Sequence, residues 1–187
     1  MTMRAMAIKG LVSGLALLAL GCGSPEPQGD KLFPPQAARW NDYQGQSVDL
    51  RDYEGKVVLV NFWATWCGPC RYEIPALVEM SNEYDPEQVA IIGISLDQGP
   101  PEHVLPLIGE FVERLAINYP VVHDGQAELL RAFYKENLAQ VGVPLTFIFD
   151  RQGRVYKRHL GVPRDKSGRL NPHGVFSEDI EILLARS

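Results

Sequence analysis

The sequence has little cysteine: three residues among 187, at positions 22, 67 and 70. That excludes a small scaffold stapled by disulfides, and the odd count leaves one cysteine needing its own explanation. No second CxxC accompanies Cys67 and Cys70, and His103, His123, His159 and His173 are scattered along the chain. A closed zinc site needs about four ligands, and the spacing does not supply them. Basic residues are also scarce, 18 Lys and Arg against 23 Asp and Glu, a net charge of −5. A mildly acidic chain has no electrostatic footprint for nucleic acid, so none is expected as a partner. No apolar run reaches the roughly 18 residues of a membrane span, and no internal repeat is evident.

The N-terminus nevertheless carries an address. MTMRAMAIKG holds Arg4 and Lys9 and no acid, and LVSGLALLAL follows as a short apolar stretch ending in Gly21-Cys22. A positive segment followed by such a stretch predicts an export signal over residues 1–21. ALGC resembles the lipobox of bacterial lipoproteins, although Ala19 stands where a larger aliphatic is usual. The resemblance implies a lipid anchor on Cys22, which accounts for the odd cysteine. It also places the chain on the extracytoplasmic side of a bacterial membrane. Residues 22–38, rich in Pro, Gly and polar side chains, are expected to be a tether. Residues 39–187 are expected to form one domain.

Within that domain strand-like and helix-like segments alternate. Ser47–Leu50 and the continuous apolar run VVLVNFW flank the charged turn RDYEG. A helix is predicted from Gly68 to about Tyr84, kinked at Pro75, followed by the buried strand QVAIIGISLD. Further helices are predicted over His103–Leu115, Ala127–Tyr134 and Ser177–Ala185, the last capped by Ser177. NYPVV and PLTFIFD read as strands, and RQGR turns the chain into a final hairpin strand, VYKRHL. This order predicts an α/β fold: a mixed central sheet flanked by helices on both faces, with an N-terminal β-hairpin extension.

Cys67 and Cys70 lie where a buried strand gives way to a helix. A helix N-terminus at Cys67 would favour its thiolate, lowering the thiol pKa from about 8.5 toward roughly 7. A disulfide closing a loop of two residues removes little chain entropy, so a purely structural role is disfavoured. With zinc already unsupported, a dithiol that opens and closes is the remaining reading.

WATWCGPC resembles the active site of the thioredoxin superfamily. GKVVLVNFWATWCGPCRYEIPAL with the later GVPLTFIFDRQG resembles the membrane-tethered TlpA/ResA-like thioredoxins of bacteria, over residues 39–160. That resemblance implies a thioredoxin fold without a cofactor, exchanging disulfides with exported proteins. Cys67 would attack and Cys70 resolve. Asn61 occupies the position of the buried Asp of cytosolic thioredoxins, which moves the proton-accepting role to Glu73, part of the pattern CxxCRxExP. A cis bond is implied at Val143–Pro144, where exposed backbone would pair with substrate, and Trp66 would shape the docking surface. Pro163, in the second GVP, is read as a trans turn residue, and Trp63, Thr146 and Phe147 as packing. Asp97 and Asp124 are read as turn or cap residues, and the histidines as incidental.

Gly-Pro between the cysteines resembles reducing thioredoxins, so a reductase is expected. Its substrates would be disulfides of cytochrome c maturation or copper-site assembly, and its electrons would come from a membrane thiol donor. Two alternatives share the fold. A peroxiredoxin-type peroxidase would need PxxxTxxC, whereas Ala64 stands three before Cys67. A Sco-like copper module would need CxxxC with a distant histidine.

Overall fold

The structure, a computed structural model, describes residues 39–134 and 141–186. The export signal, the tether and Cys22 lie outside the described residues. The fold begins with a two-stranded antiparallel hairpin of β1 (Arg39–Asn41) and β2 (Ser47–Asp49). Its turn is fastened to the body of the domain by the Tyr43 N–H, which donates to the Val121 carbonyl at 2.9 Å. β2 therefore pairs backward with a strand not predicted from sequence. The charged RDY that follows closes into a short 3-10 helix, Leu50–Tyr53, capped by Asp49.

Five strands form the central sheet: β3 (Val57–Trp63), β4 (Val89–Ser95), β5 (Val121–His123), β6 (Leu145–Phe149) and β7 (Val155–Leu160). Their order is β5-β4-β3-β6-β7. The first three run parallel, while β6 is antiparallel to β3 and β7 to β6. All seven residues of β3 are buried, as expected of a strand covered on both faces. Among the described residues four helices do the covering: α1 (Cys70–Glu83), α2 (Pro101–Arg114), α3 (Glu128–Phe133) and α4 (Pro172–Leu184).

Alternation along β3 sorts the core into two layers. Val57, Leu59 and Trp63 meet Ile74 and Leu77 of α1, Ile108 and Phe111 of α2, and Phe176 and Ile180 of α4. Val58, Val60 and Phe62 face the other way, toward Leu129, Leu130 and Phe133 of α3 and Leu50 of the N-terminal extension.

Two sequence expectations shift, and the helix through Pro75 is met. α1 starts at Cys70, so Cys67 sits in the turn before the helix and not at its first residue. The helix runs on through Pro75, whose missing N–H would otherwise have met the Arg71 carbonyl. α4 starts five residues before Ser177. Asn171 is its N-cap, accepting from the Gly174 N–H at 3.1 Å, and Pro172 occupies the first turn. Among the described residues no helix is long and apolar enough to cross a membrane.

Candidate functional site

The two sulfurs are bonded: Cys67 and Cys70 form a disulfide with Cα atoms 5.4 Å apart. Cys70 opens α1, and its backbone N–H points at the Cys67 sulfur at 3.1 Å. Although Cys67 lies outside the helix, it thus faces one of the free N–H groups of the helix start. Once reduced, its thiolate would keep that donor and the positive end of the helix dipole. Cys67 retains 3% of its surface and Cys70 none, so any attack from outside comes to Cys67.

The Val143–Pro144 bond is cis, as the resemblance implied, and the Val143 carbonyl oxygen lies 3.5 Å from the Cys67 sulfur. On the far side of the proline, the Pro144 carbonyl accepts from the Gly161 N–H at 2.8 Å. The second GVP is therefore packed beside the first, and its glycine uses a φ of 75° to turn there. Trp66 is 67% exposed next to Cys67, while Trp63 is fully buried.

Behind the disulfide sits a polar group that no apolar core would keep without cause. Glu73, in the first turn of α1, is fully buried. Its Oε1 accepts from Asn61 Nδ2 at 2.8 Å and from Thr146 Oγ1 at 2.9 Å, and Asn61 Nδ2 also reaches Thr146 Oγ1 at 2.9 Å. Burial pushes the Glu73 carboxyl up to about 7, against the opposing pull of those two hydrogen bonds. A buried carboxylate thus lies beside Asn61 of β3, contributed by the helix, and Asn61 donates to it. Thr146, expected only to pack, is its second partner.

A second carboxylate holds the loop in front of Cys67. Asp97, beyond β4, accepts from the Thr65 N–H at 3.0 Å, the Thr65 hydroxyl at 2.6 Å and the Ser95 hydroxyl at 2.7 Å. Arg71 donates to the Thr65 carbonyl at 2.9 Å. Asp97 therefore does more than end a strand, whereas Asp124 caps α3 as expected, accepting from the N–H groups of Glu128, Leu129 and Leu130. The Thr65 hydroxyl donates to Asp97, and Ala64, three residues before Cys67, is fully buried.

The described residues bring one group of possible metal ligands together: Glu79, Glu83 and His173, within 4.8 Å of one another. It joins the second half of α1 to the start of α4 and includes neither cysteine. His173 is already paired with Glu83 at 2.8 Å.

Residues 31–158 match the AhpC/TSA family. The chain belongs to that family. Among similar proteins, thiol-disulfide oxidoreductase ResA of Geobacillus thermodenitrificans is 36% identical over 118 residues, covering 63% of this chain and 62% of that protein. ResA of Halalkalibacterium halodurans is 32% identical over 120 residues, covering 64% and 62%. The chain thus matches about three-fifths of the length of these relatives. A thioredoxin-family thiol:disulfide interchange protein from Chlorobium tepidum TLS superposes with a TM-score of 0.63 at 28% identity. That superposition covers 78% of this chain and 92% of the other. The AhpC/TSA chain described here therefore has a thioredoxin-like fold, with the mixed sheet expected from its sequence.

Proposed function

We propose that this protein is a thiol–disulfide oxidoreductase that reduces disulfides of exported proteins. The observation that carries the reading is the Cys67–Cys70 disulfide, set against a helix-start N–H on one side and the Val143–Pro144 backbone on the other. The similarity to proteins named thiol-disulfide oxidoreductase supports it.

In the reduced protein the Cys67 thiolate attacks one sulfur of the substrate disulfide, and the other sulfur leaves as a thiolate. Cys70 then loses its proton to the Glu73 carboxylate and attacks the Cys67 sulfur. The mixed disulfide breaks, the second substrate thiolate departs, and two electrons have moved from the dithiol to the substrate. Glu73 suits the acceptor role because a carboxyl titrating near 7 changes state at working pH. Val143 and Pro144 present backbone to the substrate chain, and exposed Trp66 adds an apolar contact.

Residues 1–21 direct export, Cys22 carries a lipid anchor, and residues 22–38 tether the domain outside the cytoplasm. A thiol donor in the membrane returns the centre to its reduced form, which an oxidising compartment would otherwise not maintain.

Replacing Cys70 with Ala tests the reading. With the resolving thiol gone, mixed disulfides on Cys67 should accumulate on exported proteins and identify them. Purified wild-type protein that fails to reduce a model protein disulfide, together with no adducts on Cys67, would remove the activity.

A further inference from the structure

Four polar side-chain atoms behind the disulfide have no hydrogen-bond partner among the described residues: Asn61 Oδ1, Trp63 Nε1, Glu73 Oε2 and Tyr119 Oη. Asn61, Trp63 and Glu73 are completely buried, and Tyr119 is 7% exposed. Asn61 and Trp63 lie on one face of β3, Glu73 of α1 is packed against Asn61, and Gly93 of β4 neighbours Trp63 and Tyr119. Asn61 and Gly93 are register partners. A Cβ placed on Gly93 would lie 3.0 Å from Trp63 Nε1 and 3.2 Å from the Tyr119 ring. Asn61 Nδ2 is taken up on the β6 side by Glu73 and Thr146, which leaves its Oδ1 for the β4 side. Tyr119 senses the carboxylate, since the charge on Glu73 adds to the burial that raises the phenol pKa.

The chemistry of the four atoms is complementary to one molecule. Asn61 Oδ1 and ionised Glu73 Oε2 accept, Trp63 Nε1–H donates, and the Tyr119 hydroxyl does either. Water has two hydrogens to give and two lone pairs to receive, and buried waters typically make about three such bonds. We infer that a single structural water is bound over Gly93 by Asn61, Trp63, Glu73 and Tyr119. It ties Glu73 to Tyr119, so that Tyr119 becomes a positioning residue for the proton of Glu73.

The arrangement serves both states of the carboxyl. When Glu73 is ionised, the water turns one hydrogen to its Oε2, the other to Asn61 Oδ1, and receives from Trp63 and Tyr119. When Glu73 is protonated, its O–H gives to the water, and the water and the tyrosine hydroxyl rotate to suit. Side-chain amides cannot reorient in this way, but water and hydroxyl groups can. A group that must take up and release a proton is thereby spared an unpaired oxygen in either state. Other titratable groups lie around Glu73. Cys70 is on its own helix, and His159 of β7 is opposite Thr146 in register. His159 is held by Asp179 of α4, which also binds Lys157.

This inference extends the proposed role of Glu73, and its test separates the two. The carboxyl C=O stretch of Glu73, identified by its loss in Glu73→Gln, is titrated by infrared difference spectroscopy in wild type, Tyr119→Phe and Gly93→Ala. Removing the tyrosine hydroxyl weakens the water's hold on the anion, so the Glu73 midpoint should rise by about half to one pH unit. A crystal structure at about 1.5 Å should show a water within hydrogen-bond reach of all four atoms, absent from Gly93→Ala. A Tyr119→Phe midpoint equal to wild type, or no water within reach of the four atoms, overturns the inference. Because the infrared readout needs no substrate, it holds even if Glu73→Gln leaves the pH–rate profile of disulfide reduction unchanged. That kinetic result would remove Glu73 as proton acceptor and leave the water site standing.

Discussion

Glu73 has one oxygen bound by Asn61 and Thr146 and the whole carboxyl enclosed, so its ionised form pays for burial that its neutral form avoids. The sign of the consequence for stability follows from linkage. An unfolded glutamate titrates at its ordinary value of 4.5 and the folded one at about 7, so between these pH values the native state holds more protons. Stability contributed by the protonated form is full below the lower value and declines as pH rises toward the upper one. The shift corresponds to about 3 kcal/mol. Glu73→Gln should therefore gain on oxidised wild type progressively between those limits, by urea unfolding at a series of pH values. A constant difference between the two proteins would contradict the raised carboxyl. Asp97 offers the opposite case, a carboxylate that satisfies donors around it. Asp97→Ala leaves the Thr65 N–H, the Thr65 hydroxyl and the Ser95 hydroxyl without their acceptor. A loss of about 2 kcal/mol is expected, with faster hydrogen exchange at the Thr65 amide. Unchanged exchange there would show that the loop before Cys67 is held by something else.

Elements depend on contacts that join distant stretches of chain. α2 is fixed to the sheet by Phe111, which stacks on Trp63 with ring centroids 4.8 Å apart and carries the Arg114 guanidinium over its ring, 5.3 Å from the centroid. Phe111→Ala should cost about 3–5 kcal/mol, and because it also frees Trp63, the indole fluorescence should change in the folded protein. At the start of α4, Asn171→Ala should cost about 1 kcal/mol, measured by thermal or urea unfolding. That cap was legible in the sequence, since Asn171-Pro172 is a cap followed by a first-turn proline, yet the apolar spacing after Ser177 drew the boundary inward. β3, β4 and β6 were readable because strands buried on both faces leave continuous apolar runs. β1, three residues long, leaves no such pattern. The cysteine pair could be recognised from eight adjacent residues, and Pro144 from the strand it precedes. The contacts of Glu73 could not, because Asn61 and Thr146 reach it only through the pairing of β3 with β6. Likewise nothing in the ending of a strand announces that Asp97 will hold Thr65, which lies 32 positions away.

At the scale of the whole molecule, the proposed chemistry and the proposed address fall in different parts of the chain. Every residue of the two core clusters lies between Val48 and Leu183, with partly buried neighbours from Trp40 to Leu184. A chain starting at Arg39 keeps every core residue among those described and should unfold within about 2 °C of the full-length protein. The anchor proposed at Cys22 would act instead on encounter rates. Confining enzyme and donor to one membrane raises their effective concentration without any new contact between them. Cys22→Ser should therefore release the protein to the soluble fraction and leave its reduction of a soluble disulfide substrate unchanged. In cells the same variant should hold more of its Cys67–Cys70 pair oxidised, because the membrane donor meets it less often. Thiol trapping by alkylation measures that fraction directly. A Cys22→Ser protein that still sediments with membranes would place the anchor elsewhere. One that is soluble yet fully reduced would place the electron donor outside the membrane.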